Sequence, residues 1–301
     1  MSESTTVASL LAEGEELFKT SSIHHGHGLY DAWDEAVYLL SHALNLNLSL
    51  DRSMLPNLLS KEEVAEVRRL FRERSNEKTP SAYLTSCAWF CGLPFYVDRR
   101  VLIPRSPIGN LIKEKFQPWV PVQPNSILDL CTGSGCIGIS CAYAFPSSNI
   151  TISDISEDAL IVASKNVNSH KCSGQIQICE SDLFDDLGDE RYDLIVSNPP
   201  YVDLEDYRSM PGEYFAEPAL GLIAGDDGLD IVRRILCEAV DYLHEGGSLI
   251  VEVGNSAAAL EQTYPDLPFL WVDFSEGDAG VFILTREQLI ENHNFLQIKA
   301  L

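Results

Sequence analysis

The stretch Asp129-Leu130-Cys131-Thr132-Gly133-Ser134-Gly135 closes a short apolar segment and precedes an apolar run suited to a helix. Its glycines allow the backbone to turn sharply and to approach a ligand closely. Together with Gly138 they match the Gly-x-Gly-x-x-Gly pattern of dinucleotide sites, a pattern that does not distinguish one nucleotide cofactor from another. No Gly-Lys-Ser/Thr follows, which argues against a triphosphate-binding loop. The stretch therefore predicts a strand–turn–helix unit that binds a nucleotide-type cofactor.

Short apolar segments separated by helical patterns continue from this turn to the end of the chain. The first four alternate with helices and the last three end in a hairpin. We therefore predict an α/β fold with an open, doubly wound, seven-stranded, mostly parallel sheet. The predicted strands are Ile127–Leu130, Ile150–Ser153, Ile176–Cys179, Leu194–Ser197, Ser248–Val253, Leu270–Phe274 and Val281–Leu284.

Polar residues follow the first four strands: Asp129, Asp154, Asp182 and Asn198. In such sheets ligands bind at the carboxyl ends of the strands, near the switch in strand order. Asp154 is placed to accept from ribose hydroxyls, and Asp182 from an adenine amino group, with Leu183 or Phe184 against the ring. Each Asp alone could be a helix N-cap, and it is the ordered series that favours a ligand.

Asp129 distinguishes two classes of cofactor. A carboxylate at the head of the turn repels a pyrophosphate but attracts the amino-acid end of S-adenosylmethionine (SAM). We therefore predict a SAM site and no metal site. The predicted cofactor-binding residues are Asp129, Cys131, Thr132, Gly133, Ser134, Gly135, Asp154, Ile155, Asp182, Leu183 and Asn198.

The motif Asn198-Pro199-Pro200-Tyr201 lies 69 positions after Asp129. The Asn198 side-chain oxygen and the Pro199 carbonyl can each accept one N–H of a planar NH2 group, and the prolines fix φ so that this carbonyl is held outward. Tyr201 can stack on the planar group. A delocalised nitrogen is a poor nucleophile, so catalysis would rest on positioning and electrostatics, with the proton leaving after transfer. We predict that Asn198, Pro199, Pro200 and Tyr201 form the catalytic loop of a methyltransferase acting on a planar nitrogen.

The first part of the chain has a helical pattern. Ser60-Lys61-Glu62-Glu63 is a capping box that opens a third helix, and Pro80 is expected to end the helical pattern. Residues 82–104 hold two short apolar runs divided by turn residues, which predicts a hairpin. We predict a helical N-terminal substrate-recognition domain at 1–81, a β-hairpin linker at 82–104 and a SAM-dependent methyltransferase domain at 105–301.

The composition, 45% hydrophobic and 22% charged over 301 residues, is that of a globular protein. No signal-peptide pattern stands at the start, so the eight cysteines indicate reduced thiols in a cytoplasmic protein. No apolar run approaches the roughly 20 residues of a membrane span, so no membrane partner is expected.

Two groups of residues resemble metal ligands: His24-His25-Gly26-His27 and the pair Cys87 and Cys91. Both lack further ligands at useful spacing, which favours a polar loop and not a metal centre.

The net charge of −24 is unevenly distributed. Residues 1–51 carry one basic and eight acidic side chains, and residues 52–115 carry twelve and seven. Residues 116–301 carry eight basic and thirty acidic side chains, a net of −22. An acidic catalytic half is a poor surface for phosphate backbones and suits a basic protein partner, although acidity also serves solubility.

On these residues the chain resembles the HemK-type protein N5-glutamine methyltransferases over most of its length. Gly92-Leu93-Pro94-Phe95-Tyr96-Val97-Asp98, followed by Val101-Leu102-Ile103-Pro104-Arg105-Ser106-Pro107, is similar to the PrmB branch. That branch methylates a glutamine of the third protein of the large ribosomal subunit. The sister branch, which modifies peptide chain release factors, carries Pro-Arg-Pro-Asp-Thr-Glu where this chain has residues 104–109, and a Trp beside the adenine where this chain has Leu183. Residues 210–214, 217–220 and 225–230 also fit the family.

The resemblance implies a SAM-dependent protein-(glutamine-N5) methyltransferase. Its substrate would be a basic ribosomal protein of the large subunit, with ribosomal RNA or assembly intermediates as further candidate partners. Four alternatives stay open. Release factors are the sister substrate. A nucleic-acid amine methyltransferase (adenine N6 or guanine N2) uses the same loop but normally adds a basic recognition domain. A dinucleotide-dependent oxidoreductase would leave Asp129 and residues 198–201 without a role, and a non-catalytic assembly binder would need neither loop.

Overall fold

The computed structural model describes residues 5–46, 50–120, 122–274 and 280–299. The chain forms two compact units, which we call the helical unit and the sheet unit. The helical unit comprises Met1–Ala88, Val97–Arg99 and Pro211–Ala216, and the sheet unit comprises Trp89–Tyr96, Arg100–Met210 and Glu217–Leu301. No helix in the described ranges combines the length and the apolar character that crossing a membrane requires.

Three longer helices build the helical unit: α1 (Val7–Thr20), α2 (Ala32–Ala43) and α3 (Lys61–Glu77). The predicted capping box of α3 is confirmed, since the Ser60 hydroxyl accepts from the Glu63 N–H and the Glu63 carboxylate accepts from the Ser60 N–H. The apolar faces of the three helices pack into one core.

The expectation that Pro80 ends the helical pattern was wrong. Helix α3 ends at Glu77, and a further short helix, α4 (Ser81–Thr85), begins directly after Pro80. Proline lacks an N–H and has a fixed φ, which disrupts the interior of a helix but suits its first turn. Pro80 therefore marks the start of a helix and not only the end of one.

An ion cluster is buried in the helical unit. Arg74, 1% exposed, donates to both carboxylate oxygens of Glu35 at 2.5 and 2.9 Å and to Oε1 of Glu213 at 3.1 Å. Burial acts to raise the pKa of Glu213, but the His24 N–H and Arg74 hold that pKa below its usual value. Breaking a buried pair costs about 3–5 kcal/mol. The cluster thus fixes residues 211–216, a distant part of the sequence, within this unit.

The predicted hairpin is present as a two-stranded sheet of β1 (Ala88–Phe90) and β2 (Leu93–Phe95). The two turn residues, Cys91 and Gly92, have φ of 51° and 78°. Two left-handed residues are the requirement of a type I′ turn, whose twist matches that of the flanking strands. The strands are three residues each, shorter than the apolar runs.

The predicted seven-stranded sheet is confirmed. Its strand order is β5-β4-β3-β6-β7-β9-β8; the first five strands are parallel, and β9 runs antiparallel to both β7 and β8. The strands are β3 (Ser126–Leu130), β4 (Asn149–Asp154), β5 (Ile176–Glu180), β6 (Tyr192–Ser197), β7 (Leu243–Glu252), β8 (Leu270–Trp271) and β9 (Val281–Thr285). Strand β7 begins five residues before the predicted start, and β8 is three residues shorter than predicted.

Helices cover both faces of this sheet. Alternate strand residues, such as Ile127 and Leu128, belong to different apolar cores, as the two-residue period of a strand requires. One core includes α5 (Ile108–Lys113), α6 (Cys136–Ala144) and α7 (Glu157–Ser169). The other includes α9 (Asp230–Tyr242), α10 (Ala257–Thr263) and α11 (Arg286–Lys299), while α8 (Leu204–Ser209) follows residues 198–201. The strand order reverses at β3, which places a ligand crevice at the carboxyl ends of β3 and β6.

Candidate active site

A cavity of about 350 Å³ lies in the sheet unit at the carboxyl ends of β3 to β6. Most of the predicted site residues line it, so the expected convergence of strand ends is present. They are Cys131, Thr132, Gly133, Ser134, Asp154, Ile155, Asp182, Leu183, Asn198 and Pro200. Four predicted residues are not part of its wall: Asp129, Gly135, Pro199 and Tyr201.

Asp129 lies behind the turn and is fully buried. Its Oδ2 accepts from the Thr132 hydroxyl and, at 2.8 Å, from the Gly138 N–H, so it joins the turn to the start of α6. Its Oδ1 has no hydrogen-bond partner among the described residues. Burial raises the pKa of Asp129 to about 7. The role predicted for Asp129 toward the cofactor's amino-acid end stays a prediction.

The backbone of the turn is tightly constrained. Cys131 has φ of 56°, a left-handed conformation that is costly for a residue with a Cβ. The side chain of Asn166, 1% exposed, donates to the Ser134 carbonyl at 2.8 Å and pairs with both backbone polar groups of Tyr96. These bonds hold the turn in a shape that the local sequence alone does not favour.

The two carboxylates at the ends of β4 and β5 have different partners. Asp154 accepts from the Gly133 N–H at 2.9 Å and from the Ser156 N–H at 3.0 Å, and burial raises its pKa. Asp182 accepts from Arg234 at 2.7 Å. Asp154 therefore supports the turn as well as facing the cavity, and the roles predicted for both toward ribose and adenine stay predictions.

The motif at residues 198–201 begins directly after β6. Asn198 lines the cavity, and its Oδ1 is buried without a hydrogen-bond partner among the described residues. Pro199 is buried, and Pro200 contributes to the cavity wall. The hydroxyl of Tyr201 donates to Oε1 of Glu252 at 2.9 Å, and the predicted stacking of its ring on a substrate stays a prediction.

Sequence reasoning missed a second part of the cavity wall. It is formed by residues 100–106, by several residues of 218–223, and by Ile231 and Arg234. Glu217 joins the first two segments, because it accepts from the Ile103 N–H at 3.0 Å and from Arg105 at 2.8 and 2.9 Å. The family-like segments 101–107 and 217–220 carried a signal for this wall, whereas nothing in the sequence marks Arg234.

The histidine tract makes hydrogen bonds within the helical unit. The His24 N–H donates to Glu213 at 2.8 Å, and its carbonyl accepts from Arg74 at 2.7 Å. Within the described ranges, no group of three or more His, Cys, Asp or Glu side chains is arranged to hold a metal ion. All eight cysteines are free of disulfides.

Comparisons with known proteins show the family of this chain. A model described as "Methyltransferase small domain" matches residues 111–221. The chain is 47% identical over 273 residues to the ribosomal protein uL3 glutamine methyltransferase of Francisella tularensis, covering 90% of this chain and 87% of that relative. It is 44% identical over 290 residues to the protein of the same name from Neisseria gonorrhoeae, covering 96% and 97% of the two chains.

A solved structure supports the fold. The hMettl16 catalytic domain in complex with the MAT2A 3'UTR hairpin 1 aligns with a TM-score of 0.53 over 88% of this chain and 95% of its own, at 17% identity. The expected fold of class I SAM-dependent methyltransferases is thereby confirmed. From the identity and coverage of its curated relatives, the chain belongs to the family of ribosomal protein uL3 glutamine methyltransferases.

Proposed function

We propose that this protein transfers a methyl group from SAM to the side-chain amide nitrogen (N5) of a glutamine in ribosomal protein uL3. Membership of the family supports the reaction and the substrate. The structural observation that carries the proposal is the buried, unpartnered Oδ1 of Asn198 at the cavity wall. A buried acceptor without a donor costs about 1–3 kcal/mol, and an N–H of a substrate amide would supply that donor.

The cavity suits the proposed cofactor. Its volume of about 350 Å³ lies within the range of small-molecule pockets. When bound, SAM supplies a methyl group on a positively charged sulfonium. Asp154 supplies a carboxylate to the wall that can attract such a cation, whereas Asp182 is already paired with Arg234. The backbone of residues 131–134 lets a ligand approach closely.

The proposed role of the motif is to position an amide. Asn198 Oδ1 accepts one N–H of the glutamine NH2, and the Pro199 carbonyl accepts the other. Both bonds fix the plane and direction of a nitrogen whose lone pair is delocalised. Preorganised acceptors of this kind lower the barrier without a base that acts before transfer.

Among the candidate partners, the ion pairs favour a protein over RNA. Four arginines of the basic stretch 52–115 are already paired: Arg68 with Glu13, Arg69 with Glu66 and Glu73, Arg74 with Glu35 and Glu213, and Arg105 with Glu217. Phosphate backbones are bound by cations that are free to neutralise them. Contact with ribosomal RNA or assembly intermediates is a secondary proposal.

Substrate recognition is assigned here to the predicted domain at 1–81, with the hairpin at 82–104 as linker and residues 105–301 as the methyltransferase domain. This division is part of the proposal, as is a cytoplasmic location.

Methyl transfer from labelled SAM tests the proposal directly. Purified uL3, a release factor and protein-free ribosomal RNA are offered separately, and the labelled residue is located by mass spectrometry. We expect one methyl group on a glutamine of uL3 and none after that glutamine is replaced by glutamate. Preferential labelling of the release factor would assign the chain to the sister substrate, and efficient labelling of RNA would contradict protein methylation.

A further inference from the structure

A buried carboxylate outside the described cavity wall connects the catalytic motif to that wall. Glu252, at the end of β7, is 4% exposed. Its Oε1 accepts from the Tyr201 hydroxyl at 2.9 Å, and its Oε2 accepts from the Ser106 hydroxyl at 2.5 Å. Tyr201 ends the motif and Ser106 belongs to the wall, so one side chain touches both.

Tyr201 is held on its other sides as well. Its carbonyl accepts from the Ser256 hydroxyl at 2.6 Å. Its ring packs so closely on Gly254 that a Cβ there would lie 2.5 Å from a ring carbon. The ring of Tyr201 is fixed by backbone contact and its hydroxyl by a carboxylate, so Tyr201 has little conformational freedom. Because the two prolines between Tyr201 and Asn198 are rigid, the position of Tyr201 also constrains Asn198.

Ser106 is held in the same way. Its oxygen accepts from the Ile108 N–H at 3.2 Å, so its own proton is directed to Glu252. The neighbouring Arg105 is paired with Glu217, which fixes the other side of this wall segment. Both hydroxyls present donors to Glu252, an arrangement that suits a charged carboxylate. Burial raises the pKa of Glu252, whereas the two hydroxyls and Arg105 act in the opposite direction.

We propose that Glu252 is a positioning residue of the methyl transfer reaction, which sets the distance between the Asn198–Tyr201 motif and the wall at residues 103–106. It does so through the hydroxyls of Tyr201 and Ser106 and does not touch the substrate. The effect of Glu252 on the rate of methyl transfer rests on the proposed function. Its effect on the positions of residues 198–201 and 103–106 does not.

Single-turnover kinetics with SAM and uL3 test the effect on the reaction. Tyr201→Phe and Glu252→Gln each remove part of the connection while keeping the shape of the side chain. We expect each to slow methyl transfer about tenfold or more, since breaking a buried hydrogen bond leaves a polar partner unsatisfied. The double variant is expected to be no slower than the slower single variant, because both act through one bond.

Tyr192→Phe is the matched control. Tyr192 begins β6, the strand that ends at the catalytic motif, and its hydroxyl donates to Glu190 at 3.2 Å. This variant also breaks a Tyr–Glu hydrogen bond, but at the other end of the strand, and we expect transfer at the wild-type rate. The positioning role is wrong if the rate losses of Tyr201→Phe and Glu252→Gln multiply in the double variant. It is also wrong if Tyr192→Phe slows methyl transfer as much as they do.

Hydrogen–deuterium exchange gives a measurement that needs no substrate. Amide exchange in residues 198–203 and 103–112 should be faster in Glu252→Gln and Tyr201→Phe than in the wild type and in Tyr192→Phe. If the wild type fails to methylate uL3, the proposed function is wrong and exchange alone decides the inference. Unchanged exchange in both segments overturns it. Should Glu252→Gln fail to fold, Ser106→Ala removes the same connection from the other side.

Discussion

Asn198 and Asp129 each keep one buried side-chain oxygen without a hydrogen-bond partner in the described part of the chain. Unsatisfied buried acceptors lower stability, so the one at the cavity wall, in Asn198, points to a use outside the fold. The two residues differ in place. Asn198 lines the cavity, whereas Asp129 lies behind the turn. A substitution of Asn198 should therefore change chemistry, and a substitution of Asp129 should change stability.

For Asn198→Ala we predict a loss of turnover with little loss of cofactor affinity. Removing one preorganised partner of a transition state costs on the order of 10²–10³ in rate. Calorimetry with SAM and single-turnover kinetics with uL3 separate the two effects. Asn149→Ala, an exposed asparagine at the start of β4, serves as the control. A fall in SAM affinity with a surviving transfer rate would remove Asn198 from the proposed amide contact.

Asp129 should make stability depend on pH. Its folded-state pKa of about 7 lies above the ordinary aspartate value of 3.8, because burial disfavours the charged carboxylate. Between these values the folded state binds more protons than the unfolded state, so the free energy of unfolding falls as pH rises from about 4 to about 7. Asp129→Asn removes this titration and should show a flatter profile over that range. Urea unfolding at several pH values measures it, and equal slopes for both proteins would contradict the assignment.

At the scale of elements, the sequence was informative where one local rule dominates. The capping box at Ser60, the presence of a hairpin within residues 82–104 and most of the apolar strands were predicted correctly, because each depends on a few neighbouring residues. Helix α4 was not predicted, because Pro80 was interpreted only as the end of a helix, although proline also suits the first turn of a helix. The left-handed Cys131 has no local signal, since its conformation is imposed by contacts made elsewhere in the fold.

Helix α6 packs so closely on strand β4 that we predict Gly138→Ala to be destabilising. A Cβ at Gly138 would lie 2.3 Å from Ile152 and 3.1 Å from Asp129 Oδ2. Overpacking of this kind typically costs about 1–3 kcal/mol. Because the Gly138 N–H also holds Asp129, the affinity for SAM should fall as well.

Gly174→Ala is the matched control for this prediction. A Cβ at Gly174 would have no atom within 4 Å, so its free energy of unfolding should stay close to that of the wild type. Chemical denaturation of both variants and calorimetry with SAM are the measurements. Equal stability of the two variants would show that α6 can move away from β4 without cost.

At the scale of the whole molecule, the sequence located half of the cavity. The strand-end residues were found because the carboxyl ends of parallel strands must meet at one edge of a sheet. The wall formed by residues 100–106 and by Arg234 was missed, because it reaches the cavity through loops and through a helix that begins 29 positions after Tyr201. Such contacts follow from the tertiary fold, and the family-like segments 101–107 and 217–220 did not by themselves place this wall at the cavity.

The charge distribution predicts how the substrate is found. Residues 116–301 carry a net of −22, a field that attracts a basic ribosomal protein. Complementary charge mainly raises the rate of association, and salt screens it over about 8 Å at physiological ionic strength. We therefore expect kcat/KM for uL3 to fall as salt rises, while the Kd for SAM changes little.

A pair of charge-removing variants would localise this effect. Glu205→Gln neutralises an exposed residue of α8, the helix that begins three positions after Tyr201, and Glu291→Gln neutralises an exposed residue of α11. If the field at the catalytic loop guides uL3, the first variant should lower kcat/KM at low salt more than the second, and the difference should vanish at high salt. Stopped-flow association and steady-state rates at several ionic strengths measure this. A salt-independent kcat/KM would leave the proposed reaction intact but would contradict electrostatic guidance, and substrate binding would then have to depend on short-range contacts alone.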